Sequence, residues 1–433
     1  EPKWLVAGKD YTVTEQPWGR LYAGRNPFND LFLLSVRVRV GTDQDRRFAA
    51  VADLLGLAGA GDLAAGAFKK RLYGLGTGIT VGCDERFSWF TVYGLDAHLE
   101  ESVRLLFDHL RRPHVDPDTL PKMVAVKLGA HQDNKKDPEY VSTALGEYAQ
   151  RGKDSAVLRE LSDAELKALD LAALKALAAS LLDVAREARY VGNRPPTEIA
   201  RLLDDGGGRR ASPPAKAEAY LKPDRPRILF THRDMVQAHV GVSAPDETLN
   251  PDHAVAYRFL GSYLGGGMSS VIFQEVREAR SLAYDAWGGY VPGSWQGDEN
   301  RLLGELGCQA DKTVEATALL RDLMANPPLS ETRFAETSHA ILEGYRANRI
   351  HFRDVPNAVL QWTDQGIADG DPRPRNYARA RRFTLADLAD FAKRFHDRPL
   401  TVWILGQRDR VELAKLKALG DFEELPLARI FPY

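Results

Sequence analysis

The chain has 433 residues, 44% hydrophobic and 27% charged, with a formal net charge of −2. That length exceeds one ordinary core and implies two or more domains. The near-neutral balance offers no basic footprint for nucleic acid, and no apolar run approaches the roughly 20 residues that a membrane-spanning helix needs. The two cysteines, Cys83 and Cys308, show no metal-ligand spacing and read as small buried hydrophobes rather than as a disulfide. The chain starts at Glu1 without Met, as after removal of a leader or excision from a longer chain, and a periplasmic location is expected in preference to a cytoplasmic one.

In chain order, Phe32 to Val40 alternates as a strand and Arg46 to Leu57 carries helical spacing. Ile79 to Tyr93 reads as a strand hairpin. Leu99 to Leu110, Leu120 to Leu128, Tyr140 to Tyr148 and Leu166 to Leu182 read as helices, and Ala188 to Gly192 as a closing strand. Asp204 to Pro226 then holds Gly206, Gly207, Gly208, Pro213 and Pro214 among mixed charges, the composition of a linker. After it come a strand at Val240 to Ala244, a helix at Ala254 to Leu264 and a glycine-rich stretch. A strand at Leu302 to Gln309, further helices to Phe395 and a strand at Thr401 to Gly406 follow.

The second half repeats the first. Asp170-Leu171-Ala172-Ala173-Leu174, ahead of Tyr190-Val191-Gly192, recurs as Thr384-Leu385-Ala386-Asp387-Leu388 ahead of Ile404-Leu405-Gly406. The offset is 385 − 171 = 214 at the helix and 406 − 192 = 214 at the strand. Strands beside clustered helices indicate an α+β layer arrangement. The expected organisation is a first domain at 1–203, a linker at 204–226 and a second, similar domain at 227–433.

The richest stretch runs from Leu264 to Tyr290. Gly265, Gly266 and Gly267 supply a backbone able to take positive φ or to approach another chain closely. Ser269 or Ser270 then reads as an N-cap, and Ile272, Val276 and Ala279 set an amphipathic helix over Phe273 to Arg280. Leu282, Tyr284 and Ala286 switch to a period of two, a strand. An arginine near the helix end and a tyrosine on the strand can then face one space, and both carry donors suited to a peptide carbonyl or an oxyanion.

From Gly265-Gly266-Gly267-Met268-Ser269-Ser270 through Phe273-Gln274-Glu275 and Arg277-Glu278-Ala279-Arg280 to Leu282-Ala283-Tyr284, the stretch resembles the second-domain signature of the M16 zinc metallopeptidases, the group of pitrilysin, insulin-degrading enzyme and mitochondrial processing peptidase. The resemblance implies two similar tandem α+β domains, each a mainly antiparallel β-sheet backed by α-helices. In that family an Arg and a Tyr seven residues apart reach a zinc site and hold the substrate. Those roles fall on Arg277 and Tyr284, with Arg280 a second candidate for the arginine and Gly265, Gly266 and Gly267 as backbone partners for substrate.

An active member carries His-x-x-Glu-His on its first long helix, where residues three and four apart share a face and can bind zinc and activate water. Here that helix reads Ala50-Val51-Ala52-Asp53-Leu54-Leu55-Gly56, without histidine. His109 and His114 read as cations at a helix end, His232 and His239 as structural, and His351 as part of an exposed basic turn, Arg349 to Arg353. The resemblance therefore implies a chain that binds no cofactor itself, with zinc on a homologous partner subunit carrying His-x-x-Glu-His. Together the two would form a heterodimer acting on peptides or unfolded proteins. A scaffold homologue without peptidase role, like the core subunits of the respiratory bc1 complex, and a peptide-binding module without hydrolysis are the alternatives. Trp287, Tyr290 and Trp295 are expected to pack rather than to line a chamber.

Overall fold

The computed structural model describes residues 1–206, 209–214, 216–278 and 283–433, with the side chains of Glu278 and Tyr284 left outside the description. In the first half the strands are β1 (Tyr11–Gln16), β2 (Gly19–Arg25), β3 (Leu31–Val38), β4 (Gly59–Ala60), β5 (Gly78–Cys83), β6 (Ser88–Leu95), β7 (Pro113–His114) and β8 (Arg186–Gly192). Its helices are α1 (Arg47–Leu57), α2 (Ala65–Gly74), α3 (Leu99–Arg111), α4 (Thr119–Asn134), α5 (Pro138–Arg151), α6 (Asp163–Lys167), α7 (Leu171–Ser180) and α8 (Pro196–Leu202). In the second half the strands are β9 (Arg227–His232), β10 (Gln237–Thr248), β11 (Ala283–Val291), β12 (Glu299–Gln309), β13 (Thr401–Gly406) and β14 (Asp421–Glu424). Its helices are α9 (Ala254–Gly265), α10 (Thr313–Ala325), α11 (Glu331–Ala347), α12 (Val355–Asp364), α13 (Arg373–Ala380), α14 (Leu385–Ala392) and α15 (Leu413–Lys417).

Two six-stranded sheets result, in the orders β1-β2-β8-β3-β6-β5 and β11-β12-β10-β13-β9-β14, while β4 and β7 form a small separate ladder. Neighbours are mainly antiparallel, but β2 pairs with β8, and β9 with both β13 and β14, in parallel. The duplication is visible in the elements. α3 and α10 are displaced by 313 − 99 = 214 residues at one end and by 325 − 111 = 214 at the other. The sheets differ at one edge, which is closed by an N-terminal strand in the first and by a strand near the C-terminus in the second.

Each sheet is covered on both faces, and the alternation along its strands shows by what. In β9 and β13, Ile228, Phe230, Val402 and Ile404 join the core built with α9, α10 and α14. The intervening Leu229, Trp403 and Leu405 pack instead with Val141, Ala144, Leu145 and Ala149 of α5, a helix of the first half. The exchange is mutual. Leu21 and Ala23 of β2 join the core of the first half, while Tyr11 and Tyr22 pack with Val355, Val359 and Leu360 of α12, from the second. All six residues of β13, Thr-Val-Trp-Ile-Leu-Gly, are buried. Burial of that kind on both faces is why the run shows no polar alternation.

The expected elements are present, with local differences. The stretch from Leu166 to Leu182 is broken at Ala168 to Asp170, because the Asp170 carboxylate accepts from the Ala173 N–H and starts a new helix at α7. Of the helix expected at Phe273 to Arg280, Phe273–Glu278 is a π-helix, and Ala279 and Arg280 lie outside the described residues. β1, β2, β9 and β14 carry no strict alternation and were not anticipated. Residues of the 204–226 stretch are tied down: the Glu218 N–H donates to Asp298 at 2.9 Å, the Tyr220 N–H to Glu299 at 2.9 Å and the Leu221 N–H to the Gln150 carbonyl at 2.8 Å. Gly207 and Gly208 lie outside the described residues.

Candidate functional site

The helix that would carry the metal motif is α1. Ala50, Val51, Leu54 and Leu55 are buried in the first core, so the positions facing inward are hydrocarbon. Asp53 is held by Lys127 of α4 at 2.7 Å. Nearby Cys83 has its thiol pushed up to about 11, chiefly by burial. His131, which lines a cavity with Ala50 and Asp53, stacks on Tyr433 at 3.5 Å and pairs with Asp163 at 2.6 Å. Among the described residues no group of three His, Cys, Asp or Glu is placed to hold a metal.

The glycine-rich signature is built against β11. α9 ends at Gly265, where a Cβ would stand 1.9 Å from the Gly288 carbonyl oxygen, and one on Gly266 would stand 2.7 Å from the Ser262 Cα. Close backbone packing thus accounts for both residues; Gly267, at φ +139°, needs the conformational freedom of glycine. Val271, Ile272 and Val276 are fully buried and anchor the turn. Within it the backbone runs as a π-helix, a geometry frequent at functional sites.

Arg277 projects from this turn. Its guanidinium carbon lies 5.1 Å from the Phe273 ring centroid, and the side chain lines a cavity of about 520 Å³. The other walls bring together Asp285 and Trp287 of β11, Glu305 of β12, His239 of β10 and Glu139 of α5. His239 and Glu139 approach to 3.7 Å. Burial, with Asp285 and Glu139 adding to it, raises the Glu305 carboxyl above its usual range. The cavity therefore presents guanidinium donors and an aromatic face beside several carboxylates. Glu139 and Ser142 reach it only because α5 crosses from the first half.

β11 is an edge strand of its sheet, and its register with β12 shifts between Ala283 and Asp285. The backbone of Tyr284 sits at that irregularity. Its side chain, like Arg280, lies outside the described residues. Of the three aromatics expected to pack, Tyr290 does so: it is 6% exposed and donates to Asp246 at 2.8 Å. Trp295 lies under Arg37, Arg39 and Arg86 at 5.1, 4.9 and 5.9 Å. Trp287 departs from expectation: it is 42% exposed and lines the cavity. His109 departs as well. It is 2% exposed, its Nδ1 lies 2.9 Å from the Gly59 carbonyl, and burial lowers its pKa, so it is a neutral core residue rather than a cation at a helix end.

The family model described as the peptidase M16 inactive domain matches residues 179–326, which span β8, the 204–226 stretch and the whole signature. An uncharacterised zinc protease of Mycobacterium leprae is 39% identical over 82 residues, 18% of this chain and 18% of that protein. The crystal structure of a peptidase M16 inactive domain from Pseudomonas fluorescens superposes with a TM-score of 0.76 at 16% identity, covering 92% of this chain and 98% of that one. Residues 179–326 thus carry the match to the M16 inactive domain, and the fold over nine-tenths of the chain is that of these structures. Against the periplasmic protease PqqL of Escherichia coli the TM-score is 0.72 at 13% identity, covering 94% of this chain and 47% of PqqL. The chain thus spans about half the length of that protein. No helix among the described residues is long and apolar enough to cross a membrane.

Proposed function

We propose that this chain is the non-catalytic member of a two-part M16 metallopeptidase, completing a site whose metal and general base belong to a homologous subunit with His-x-x-Glu-His. The observation that carries the reading is the asymmetry between the halves. The α1 position of the metal motif is filled by Ala50, the Asp53–Lys127 pair and buried Leu54, while the second half presents Arg277 at the mouth of a polar cavity. Arg277 and Tyr284 act as donors to the backbone carbonyl of a bound peptide and to the charge that develops on it. The edge of β11 offers main-chain groups on which an extended peptide can add as a strand, with Trp287 beneath a side chain. Substrates of this shape are unfolded segments and peptides. The half-length match to PqqL supports a chain that works beside a second half.

The test is to purify the chain alone and together with such a subunit and to assay an unstructured fluorogenic peptide with and without chelator. The chain alone is expected to be inactive and the pair active. Arg277→Ala and Tyr284→Phe are each expected to lower turnover by ~10²–10³ while the pair still assembles. Wild-type rates in both variants would remove the role given to these residues and leave the scaffold reading.

A further inference from the structure

A cavity of about 650 Å³ lies in the second half between α9, α11 and the segment 362–376, and neither Arg277 nor Gly265, Gly266 and Gly267 lines it. Its volume is that of a pocket for a small ligand. Tyr257, Tyr345 and Trp362 give it an apolar, aromatic wall, and no carboxylate is among the lining residues. The nearest acids are already matched. Asp371 pairs with Arg373 at 2.5 Å, and Asp246 and Glu247 stand behind the hydroxyls of Tyr290 and Tyr257, held by Arg394 and Arg398.

Two cations on this wall have no such partner. Arg258 is half-buried with its guanidinium carbon 4.3 Å from the Tyr345 ring centroid, and it makes no ion pair or hydrogen bond among the described residues. A guanidinium stacked on a ring keeps its N–H edge available for a planar anion. Arg349 opens the basic turn singled out in the sequence, is exposed, and also lacks an ion pair among the described residues. A third group points to a ligand from the opposite direction: the Asn376 Oδ1 is buried at this wall and has no donor among the described residues. A buried acceptor left unmatched is costly and is normally satisfied.

We propose that this cavity binds an acylated α-amino acid with an apolar side chain. The carboxylate pairs with Arg258 and Arg349, the amide N–H donates to Asn376, and the side chain lies against Tyr345 and Trp362. The same chemistry is offered by the C-terminal residue of a peptide and by a free N-acyl amino acid. The inference stands on this cavity alone and does not depend on the role given to Arg277 and Tyr284.

Calorimetric titration of the full chain tests it with three probes: a short unstructured peptide ending in Phe with a free carboxylate, the same peptide as its C-terminal amide, and N-acetylphenylalanine. The free acid is expected to bind at least ~10-fold more tightly than the amide, the worth of one charge-assisted hydrogen bond. Arg258→Gln is expected to remove that preference, and Arg349→Gln, on an exposed turn whose change leaves the core intact, to reduce it. A tighter peptide than N-acetylphenylalanine assigns the site to a chain terminus, and equal affinity assigns it to the single residue. Equal binding of acid and amide, no saturable binding of either acid, or an unchanged preference in both variants would overturn the proposal.

Discussion

His109 shows how one residue's meaning changes between sequence and fold. At the end of α3 it has the position of a cation that favours a helix C-terminus, yet its ring stacks on Phe68 at 5.0 Å inside the first half. Burial disfavours the imidazolium, so the folded pKa lies below that of the unfolded chain. A depressed folded pKa contributes stability that is complete above the unfolded value, about 6.5, and is lost as pH falls toward the folded value. The melting temperature is therefore expected to fall between pH 7 and pH 5, with a shallower slope in His109→Gln, as read by thermal denaturation; parallel slopes would assign the acid sensitivity to other groups. Arg277 is recognised by its place in a dense local signature. Glu139 and Glu305 carry no local mark, because they share a cavity only once α5 lies on the second sheet.

At the scale of elements, β13 and its neighbours show what a hydrophobic run conceals. Thr401 to Gly406 reads as a strand from composition, but composition does not say that Trp403 turns away from its own core toward α5. The space for that ring is made by glycine. A Cβ on Gly241, opposite Trp403 in the ladder, would stand 2.0 Å from the indole Cε2, and one on Gly146 of α5 would stand 3.1 Å from it. Gly241→Ala is expected to cost about 1–3 kcal/mol through overpacking, as measured by urea denaturation. In a Trp403→Ala background the same change is expected to be close to neutral, since residues in contact do not act additively. An equal cost in both backgrounds would show that the ring does not set the requirement for glycine. The signature glycines follow the same logic, Gly265 serving the contact between α9 and β11.

At the scale of the whole molecule, the halves are joined by more than the 204–226 stretch. α5 covers the second sheet and α12 covers the first. Arg37 of the first sheet meets Asp364 at the end of α12 at 2.6 and 2.9 Å and Glu187 at 2.8 Å, and Arg86 meets fully buried Asp298 at 2.6 and 2.9 Å. Removing one partner of such a pair leaves a buried charge, a loss of about 3–5 kcal/mol. Expressed separately, 1–203 and 227–433 are each expected to be aggregation-prone and without a cooperative transition, and to regain one when refolded together, as followed by circular dichroism and size exclusion. Two independent cooperative transitions would mean that the exchanged helices are dispensable.

The sequence by itself determined the duplication, most elements, and an arginine- and glycine-rich signature in a chain whose first long helix has no histidine. These rest on periodicity, caps and glycine, which act over a few residues. Only the tertiary structure decided which helix covers the second face of each sheet, which carboxylates share a cavity with Arg277, and that Trp287 faces that cavity while Tyr290 is core. Those outcomes depend on contacts between segments a hundred or more residues apart, where many apolar faces are equivalent by pattern and only one packs without leaving a void or an unpaired charge.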